Sequence, residues 1–500
     1  MGVKYLISFI RRFSPNSIKK VGEKELKYKT LAIDGTLLLR RGFASPWIST
    51  IDKYRHIVWA LYLARICRFY KVTPIIIFDG RHSAPAKINE KIRRLHIKKN
   101  NEKLLVEKTR QAARLKNLLK IVYQISELNV NDKNSINLFL KKAIQIYDDF
   151  KHGLSGLDFY EGNLRIKLQT WMKDEFFMCK NGDLSLEKLL SQIIDYIYDI
   201  FLDSTPGLIS EFSILNNLLD PYAEDTLKDD LEKRQISINK FIQKISRRLS
   251  APTWEQINQT KTIFKILGIT VLTSPPGYEA EGVASSLVNS GIADFVVTED
   301  ADALVFNAKM LRGFMSMKGL ANKNNGNFFL PSNMFMIDPI DVRFNLDNIS
   351  IDSFIDFAIL CGTDFCNTIH GLGCYGAFFL IQKYQNIELI LENLSEFKTK
   401  SGKQKYIAPE NYIQEVRVAR KAFRCIPYTR FFDYKLTAPD TPWFNIAEND
   451  WKALENNVIE KYKLNQSELS CLLSLKTSLF INKIKNNEAL ENTHGDLLCC

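Results

Sequence analysis

Seven acidic residues stand where short apolar segments end, or shortly after such an end. Four segments show this pattern, namely KTLAIDG, VTPIIIFDG, GITVLTSPPGYEAE and ADFVVTEDADALVF, and a fifth acid-bearing segment is LCGTDF. The acids are Asp34, Asp79, Glu279, Glu281, Asp300, Asp302 and Asp364. Carboxylate oxygens are preferred ligands of Mg²⁺ and Mn²⁺, and two such ions about 4 Å apart can activate water and stabilise a phosphate under attack. If the fold brings the seven acids together, they predict phosphodiester hydrolysis by two metal ions.

Each of these acids, taken alone, also permits a purely structural role. Asp34, directly after LAI, is typical of a helix N-cap or a turn. Two acid pairs weaken that interpretation, because in each pair the acids flank one alanine at the predicted start of a helix. A helix N-terminus favours negative charge by only ~0.3–1 kcal/mol, which is too little to hold a cluster of acids together. Metal binding is therefore the better explanation of the cluster.

The four apolar segments predict buried parallel strands, because β-branched and other apolar residues run through them without alternation. Predicted helices lie between them, at Ile51–Tyr70, Thr253–Leu267 and Glu281–Asn289. Strands that alternate with helices indicate an α/β fold with a mainly parallel, twisted sheet. In such sheets ligands bind beyond the carboxyl ends of the strands, which is where the acids are expected.

A long segment, residues 88–248, interrupts this alternation with mostly helical sequence that carries no acid at the end of a strand. It begins basic, becomes acidic around residues 220–230 and ends basic around residues 240–248. The acidic part either folds back on the basic parts or forms a solvated face. We interpret the whole segment as a helical insertion.

The composition favours a nucleic-acid partner. The 500 residues carry 68 Lys and Arg against 56 Asp and Glu, a formal net charge of +12, although a merely basic soluble protein is the alternative. Nine cysteines without CxxC spacing are expected to be reduced intracellular thiols. Every apolar run is shorter than the roughly 20 residues of a membrane span, so no membrane association is expected. The basic start resembles a mitochondrial presequence but lacks a secretory cleavage pattern.

Six blocks, in their order and mutual spacing, resemble the flap endonuclease/XPG (Rad2-type) family of structure-specific nucleases. MGVKYL resembles the start of the family's chains, and LAIDGT and IIIFDG resemble its first two acidic strands. YEAEGVASSLV and VTEDADALVF resemble its internal region, and LCGTDFCNTIHGLGCYGA resembles its helix-two-turn-helix. The resemblance covers residues 1–95 and 255–400 and implies a PIN-like α/β nuclease core.

The resemblance also implies a division of the chain into regions. These are an N-terminal nuclease region (1–95), a helical insertion at the position of the family's arch (96–252), an internal nuclease region (253–345), a helix-two-turn-helix (346–400) and a C-terminal helical extension (401–500). For the acids it implies two Mg²⁺ ions, for which Mn²⁺ can substitute. One ion would be held by Asp34, Asp79, Glu279 and Glu281, with Glu281 acting through water as well, and the other by Asp300, Asp302 and Asp364.

In the family, a Lys and an Arg seven residues apart reach the scissile phosphate from the helix after the second acidic strand. The matching pair is Lys87 and Arg94, but it stands one residue further from Asp79 than is usual, so Arg93 is a competitor. A solvated basic helix face is the other interpretation. A guanidinium at this place can bind phosphate with two hydrogen bonds and stabilise its charge.

Further DNA contacts are implied by the family's pattern. Gly-Leu-Gly after the last acid resembles a turn whose amides and bound monovalent cation, such as K⁺, hold duplex phosphates. In the family a hydroxyl commonly helps to bind that cation, and Thr368 stands at its position. Relatives commonly have an aromatic residue or histidine that stacks on a base at the position of Arg40, and the planar guanidinium of an arginine can also stack. The implied DNA-binding positions are Gly2, Arg40, Gly362, Thr368, Gly371 and Gly373. The turn continues CYGA where relatives carry a basic residue, so Lys383 and the segment Lys398–Arg424 are expected to assist.

The resemblance implies a 5′ nuclease that cuts DNA near junctions of single and double strands, in repair or replication. The size of the insertion leaves open whether flaps, bubbles, gaps or four-way junctions are preferred, and whether cutting is exonucleolytic or endonucleolytic. A non-catalytic nucleic-acid-binding or scaffold relative and a ribonuclease are the alternatives. We expect a monomer without a sliding-clamp peptide, and nuclear residence with mitochondria as the alternative.

Overall fold

The computed structural model describes residues 2–44, 54–80, 87–152, 166, 170, 184–202, 224–314, 333–399, 401–427, 443 and 446–462. These residues form two compact units. The first unit comprises residues 1–95 and 250–500, and the second comprises residues 96–249. Among the described helices, none is both long and apolar enough to cross a membrane.

The described helices and strands are numbered separately in chain order. The helices are α1 (Leu6–Phe13), α2 (Glu23–Leu26), α3 (Gly35–Phe43), α4 (Arg55–Phe69), α5 (Ile88–Ser126), α6 (Val130–His152), α7 (Leu184–Leu202), α8 (Glu224–Leu249), α9 (Trp254–Ile266), α10 (Ala280–Asn289), α11 (Asp302–Val305), α12 (Pro339–Asn345), α13 (Ile351–Cys361), α14 (Cys374–Tyr384), α15 (Ile387–Glu392), α16 (Tyr412–Arg424) and α17 (Glu448–Lys461). The strands are β1 (Ile18–Val21), β2 (Thr30–Asp34), β3 (Thr73–Phe78), β4 (Thr270–Thr273), β5 (Phe295–Val297), β6 (Met310–Arg312) and β7 (Met334–Ile337).

The seven strands form one sheet in the order β1-β7-β6-β5-β2-β3-β4. From β6 to β4 all neighbours are parallel, and Ile33 at the centre pairs with Ile76 on one side and Val297 on the other. At the opposite edge β7 is antiparallel to both β6 and β1. The carboxyl ends of β2, β3, β4, β5 and β6 therefore meet at one edge of the sheet.

Helices cover both faces of the sheet because successive side chains of each strand point in opposite directions. In β2, Ala32 belongs to one core, which includes residues of α1, α10, α13, α14 and α16. Its neighbours Leu31 and Ile33 belong to the other core, with residues of α3, α4, α9 and α17. A parallel sheet buried on both faces explains the continuous apolar runs of its central strands.

The structure confirms the predicted α/β fold and the four predicted parallel strands, which are β2 to β5. It differs from the prediction at β4, which is an edge strand and only partly buried rather than fully buried. Three further strands, β1, β6 and β7, were not predicted. They have only three or four residues each, and β1 carries two exposed lysines that interrupt its apolar pattern.

The second unit, residues 96–249, lies within the predicted insertion at residues 96–252. All the secondary-structure elements described in it are helices. It has an apolar core of its own, formed by side chains of α5, α6, α7 and α8. Large buried side chains in it include Phe139, Leu190 and Ile193. Most of the acidic residues noted around residues 220–230 and the basic residues after them lie on the single helix α8, while residues 220–223 fall outside the described part.

Candidate metal centre

The seven predicted metal-binding acids belong to or follow elements that end at the carboxyl edge of the sheet. Asp34 is the last residue of β2, and Asp79 comes directly after β3. Glu279 is the N-cap residue of α10, and Asp302 begins the short helix α11 after β5. Asp364 lies in the loop that follows α13. Acids that are up to 330 residues apart in the chain, from Asp34 to Asp364, are thus carried by elements of one unit.

Three of the acids form a compact cluster. One carboxylate oxygen each from Glu281, Asp300 and Asp302 lies within 4.8 Å of the others. Glu281 and Asp302 are buried, and Asp300 is half-buried. This cluster combines one acid assigned to the first ion by the resemblance with two assigned to the second, so the division of the acids between two ions stays a prediction.

Backbone amides hold the carboxylates in place. The amide of Val3 donates to Asp302 Oδ1 over 2.9 Å, and that of Ala303 donates to Glu281 Oε1 over 3.2 Å. Asp79 Oδ1 accepts from the amide of Ala280 over 2.8 Å. In each case the recorded bond engages one oxygen, so the carboxylate keeps lone pairs for a cation.

Asp34 shows that the two interpretations of a strand-ending acid are compatible. Its Oδ1 accepts from the amide of Leu37 over 2.9 Å, which makes Asp34 the N-cap of α3. Its carboxylate is nevertheless close enough to Asp79, Asp300 and Glu279 for their charges to raise its pKa. The helix cap therefore orients a side chain that also belongs to the acidic centre.

Burial and mutual repulsion make the charged form of this cluster unfavourable. Burial raises the pKa of Asp34, Glu281 and Asp302 well above that of an ordinary carboxyl group, and neighbouring carboxylates raise it further. Burial likewise raises the pKa of Asp300 and of Glu279. Such acids need a compensating positive charge to be ionised together at neutral pH.

The donors fit a hard divalent cation. All seven are carboxylates, which is the ligand type of Mg²⁺ and Mn²⁺, and the compact cluster converges on one place. A cation there would neutralise the repulsion that burial magnifies. An acidic cluster able to bind metal is thus a property of this chain, while the identity of the ion belongs to the proposal below.

Lys87 and Arg94, the predicted phosphate-binding pair, both contact Asp364. Lys87 Nζ lies 2.7 Å from Glu279 Oε2 and 3.4 Å from Asp364 Oδ2, and Arg94 Nη2 lies 2.6 Å from Asp364 Oδ2. Burial alone would lower the pKa of Lys87, but the carboxylates of Glu279, Asp302 and Asp364 outweigh it and raise the pKa. Lys87 is therefore a charged ammonium inside the acidic centre.

The competing residue, Arg93, is placed differently. Its recorded hydrogen bonds run to Glu90, over 2.6 and 2.7 Å, and its side chain is 59% exposed. Arg94 Nε also contacts Glu90 over 2.6 Å, and the two guanidiniums lower the pKa of Glu90 to about 2. Both arginines contact Glu90, but within the described residues only Arg94 also forms an ion pair with an acid of the centre, Asp364. The geometry thus favours the Lys87–Arg94 register over one that uses Arg93.

Gly2 lies directly against the acids. It is buried with φ +71°, and an added Cβ would lie 1.5 Å from Asp300 Oδ1 and 2.6 Å from Asp302 Oδ1. Only a residue without a side chain allows the backbone to approach so closely. The structure therefore shows a packing reason for Gly2, whereas its predicted DNA contact stays a prediction.

We expect Gly2→Ala to lower cleavage at least about tenfold and to raise the Mg²⁺ concentration needed for half-maximal rate, because the methyl group would displace Asp300 and the Val3 amide. Gly291→Ala is the matched control. It has a similar φ of +74°, but its Cβ would meet nothing within 4 Å. Equal losses in the two variants would show that backbone strain, and not the contact with Asp300, is responsible.

The glycines of the predicted DNA-binding turn differ in their surroundings. At Gly362, with φ +103°, a Cβ would lie 2.6 Å from Thr368 Cγ2, so these two predicted positions are neighbours. Gly371 has φ +81° and would place a Cβ 2.6 Å from the carbonyl oxygen of Lys405. Gly373 is exposed and is the N-cap of α14. Space alone would allow a side chain at Gly373 but not at Gly362 or Gly371.

The remaining predicted DNA contacts lie on the surface. Arg40 is exposed in the last turn of α3. Lys383 is exposed in the last turn of α14, 2.8 Å from the hydroxyl of Tyr384. The segment that follows the turn includes α16, on which Glu415 accepts hydrogen bonds from the backbone and the side chain of Asn367 over 2.8 Å each. α16 thus supports the loop that bears Thr368.

Several residues of the centre were missed by the sequence interpretation. Glu90 could have been found, because an acid four residues before an arginine on a helix is a common ion pair. No local signal pointed to Glu299, which comes just before Asp300 and contacts two arginines. Outside the centre, the sulfur atoms of Cys361 and Cys374 lie 3.1 Å apart in the apolar core. Burial raises the pKa of Cys361 well above its ordinary value.

Comparison with known proteins gives two family matches. Residues 1–101 match the model of the XPG N-terminal domain, and residues 268–364 match the model of the XPG I-region. An uncharacterized protein of Schizosaccharomyces pombe is 29% identical over 497 residues, which cover 94% of this chain and 96% of that protein. Flap endonuclease 1 of Entamoeba histolytica is 30% identical over 274 residues, which cover 52% of this chain and 61% of that protein. The chain thus matches less than two thirds of that flap endonuclease.

Solved structures are similar at low sequence identity. The catalytic core of Rad2 in complex with DNA substrate is 14% identical with a TM-score of 0.47, over 95% of this chain and all of that chain. Human GEN1 in complex with Holliday junction DNA is 12% identical with a TM-score of 0.36, over 92% of this chain and 79% of that chain.

Proposed function

Because the chain belongs to the flap endonuclease/XPG family of DNA-acting nucleases, we propose that it is a structure-specific 5′ nuclease. It would hydrolyse DNA phosphodiester bonds near junctions of single and double strands, in repair or replication. The observation that carries the proposal is the largely buried cluster of Glu281, Asp300 and Asp302, in which only Asp300 is half-buried. A scaffold relative would have no use for a cluster of acids that costs stability through repulsion.

We propose Mg²⁺ as the cation, with Mn²⁺ able to replace it. The three clustered acids would hold it, and a second ion would use the remaining acids around them. Divalent ions supply an activated water and charge stabilisation on the phosphate and the leaving oxygen. The chain's backbone amides, such as that of Val3, keep the carboxylates oriented before any ion binds. This preorganisation avoids a rearrangement during the reaction.

Lys87 and Arg94 would bind the scissile phosphate. Both now contact Asp364, and a phosphate oxygen can take the place of a carboxylate oxygen on either side chain. Glu90 holds Arg94 Nε and so fixes the plane of the guanidinium. Lys87 is also 4.5 Å from the ring centre of Phe365, which limits the positions that its ammonium can take. Glu90 is a positioning residue, whereas Lys87 and Arg94 would touch the substrate.

The test of this function is a cleavage panel with the purified chain. Flap, bubble, gap, nick and four-way-junction DNA, labelled at either end, would be incubated with Mg²⁺ or with EDTA, and the cuts mapped. We expect Mg²⁺-dependent cuts within a few nucleotides of a junction on the strand with the free 5′ end. Cleavage of RNA alone would identify a ribonuclease, and binding without any cut would identify a non-catalytic relative; either result overturns the proposal.

The other expectations about this protein stay predictions. They concern K⁺ at the turn around Gly371, a monomeric state without a clamp-binding peptide, and nuclear rather than mitochondrial residence. Light scattering of the purified chain and microscopy of a tagged chain in cells are the measurements that address the last two.

A further inference from the structure

A groove of about 400 Å³ opens beside the metal centre. Its volume is more than ten times the ~30 Å³ that a water molecule takes up in the liquid, so it has room for a sugar-phosphate unit. It reaches Asp364 and Arg94, which belong to the centre, and it extends to Arg312 at the end of β6. Gly2 and Glu299 also line the groove.

Arg312 is fixed by a single acid that it shares with a second arginine. Its Nη2 lies 3.0 Å from Glu299 Oε2, and Arg41 Nη1 lies 3.3 Å from the same oxygen. The other oxygen, Glu299 Oε1, accepts from the amide of Gly313 over 2.8 Å. Glu299 follows β5 and comes just before Asp300, so this ion cluster stands next to the metal centre.

The ion cluster carries more positive charge than Glu299 can compensate. Burial lowers the pKa of Arg312, the charge of Arg11 lowers it further, and the charge of Asp300 raises it. Burial also lowers the pKa of Arg41, and Arg312 adds to that effect. Nε of Arg312 is buried and has no hydrogen-bond partner among the described residues. A half-buried guanidinium with an unused donor and cationic neighbours favours an additional anion.

We propose that Arg312, oriented by Glu299, binds a phosphate of the DNA strand that is cut, at a position other than the scissile bond. This inference rests on the proposed nuclease function. A phosphodiester supplies the anion that the ion cluster lacks, and a guanidinium can meet it with two hydrogen bonds. Because the groove also reaches Arg94, a strand whose scissile phosphate lies at Lys87 and Arg94 can continue along the groove to Arg312. The site helps to select a strand with a free path beyond the cut.

The test measures binding and so does not require cleavage. Fluorescence anisotropy in EDTA would give the affinity of a flap DNA for the full chain, for Arg312→Gln and for Arg343→Gln. Arg343 is the control, because it loses the same charge but lies on α12, contacts Asn307 and does not line the groove. We expect Arg312→Gln alone to weaken binding about tenfold and to reduce the slope of log affinity against log salt by about one.

A scan with neutral methylphosphonate linkages identifies the phosphate. Replacing one particular phosphate near the cut should weaken binding to the unchanged chain about tenfold and should have little effect on Arg312→Gln, because the same contact is already lost. If no position shows this loss of effect, the inference is wrong, even where the chain cuts DNA. Absence of both binding and cutting with every DNA would instead overturn the proposed function.

Glu299→Gln separates a ligand site from a merely structural ion cluster. The amide oxygen of a glutamine can still accept from Arg312 and so orient it, but without the competing negative charge. If Arg312 binds phosphate, DNA binding of this variant should therefore be equal or tighter, with a steeper salt dependence. If Glu299 and the arginines only hold the fold together, the same change should weaken binding and lower the melting temperature. The second outcome would also overturn the inference.

Discussion

Asp300→Ala should lower the rate of Mg²⁺-dependent DNA cleavage by at least about a thousandfold, which corresponds to about 4 kcal/mol of transition-state stabilisation. Asp300 supplies one of the three oxygens that lie within 4.8 Å of each other, so its loss removes a ligand from the compact cluster. Binding of DNA should change little, since the removed group is itself negatively charged. Asp79→Ala should behave in the same way. Asp79 follows β3, next to β2, and the amide of Ala280 orients its carboxylate by a hydrogen bond.

Single-turnover cleavage of a labelled flap and anisotropy in EDTA measure the two quantities separately. Asp352→Ala is the matched control, because Asp352 is an exposed acid of α13 that pairs with Arg424 outside the centre. It should cut at the normal rate. Undiminished cutting by Asp300→Ala or by Asp79→Ala would overturn the metal assignment.

Asp300→Ala should lower activity but should not lower the stability of the metal-free protein. Asp300 raises the pKa of Glu281 and of Asp302, so it disfavours the charged cluster when no cation is bound. In EDTA, the melting temperature of Asp300→Ala should therefore be equal to or higher than that of the unchanged chain. Addition of Mg²⁺ should raise the melting temperature of the unchanged chain more than that of Asp300→Ala, because a ligand that binds the folded state stabilises it.

Local sequence patterns were sufficient to predict the metal-centre acids that lie at the ends of strands. An apolar run followed by an acid identifies both a buried parallel strand and the place where that strand ends. Asp34 and Asp79 were found in this way, and β2 and β3 are parallel neighbours. The topology of a parallel sheet then requires the two acids to lie at the same edge.

Contacts between distant segments could not be predicted from such patterns. The amide of Val3 reaches Asp302 across 299 residues of sequence, and β1 pairs with β7, which is more than 300 residues further along the chain. The types of the residues in these segments do not predict the contacts, because both the bond at Val3 and the pairing of β1 with β7 use backbone groups. The role of Gly2 depends on the same approach of the N-terminal segment and was visible only in three dimensions.

Charge pairs on a helix lie between these extremes. Lys87 and Arg94 were proposed from the family's seven-residue spacing, and the uncertainty between Arg94 and Arg93 arose because the pair is shifted by one residue relative to Asp79. One residue corresponds to about 100° around an α-helix, since 3.6 residues make a turn. Adjacent arginines on α5 therefore point in different directions, and only their contacts decide which one faces the centre.

Arg94→Ala should lower the single-turnover cleavage rate about a hundredfold, with no more than about a threefold loss of DNA affinity. The rate falls because a charged donor that contacts Asp364 is lost where charge develops on the phosphate, and removal of one such donor commonly costs ~10²–10³ in rate. The affinity falls less, because Arg94 must give up its ion pair with Asp364 in order to bind the phosphate, and this loss offsets part of the energy of the new contact.

Arg93→Ala is the internal control, because it removes the same charge one residue away on the same helix. Its recorded contacts are with Glu90, so its loss should lower the rate by no more than about threefold. Glu90→Gln should fall between the two, since it frees the Arg94 guanidinium without removing it, and Arg94→Lys should recover little because a lysine cannot bridge two oxygens in one plane. If Arg93→Ala is the damaging change and Arg94→Ala is not, the register of the phosphate-binding pair is wrong. In that case the contact between Arg94 and Asp364 serves only to balance charge near the acids.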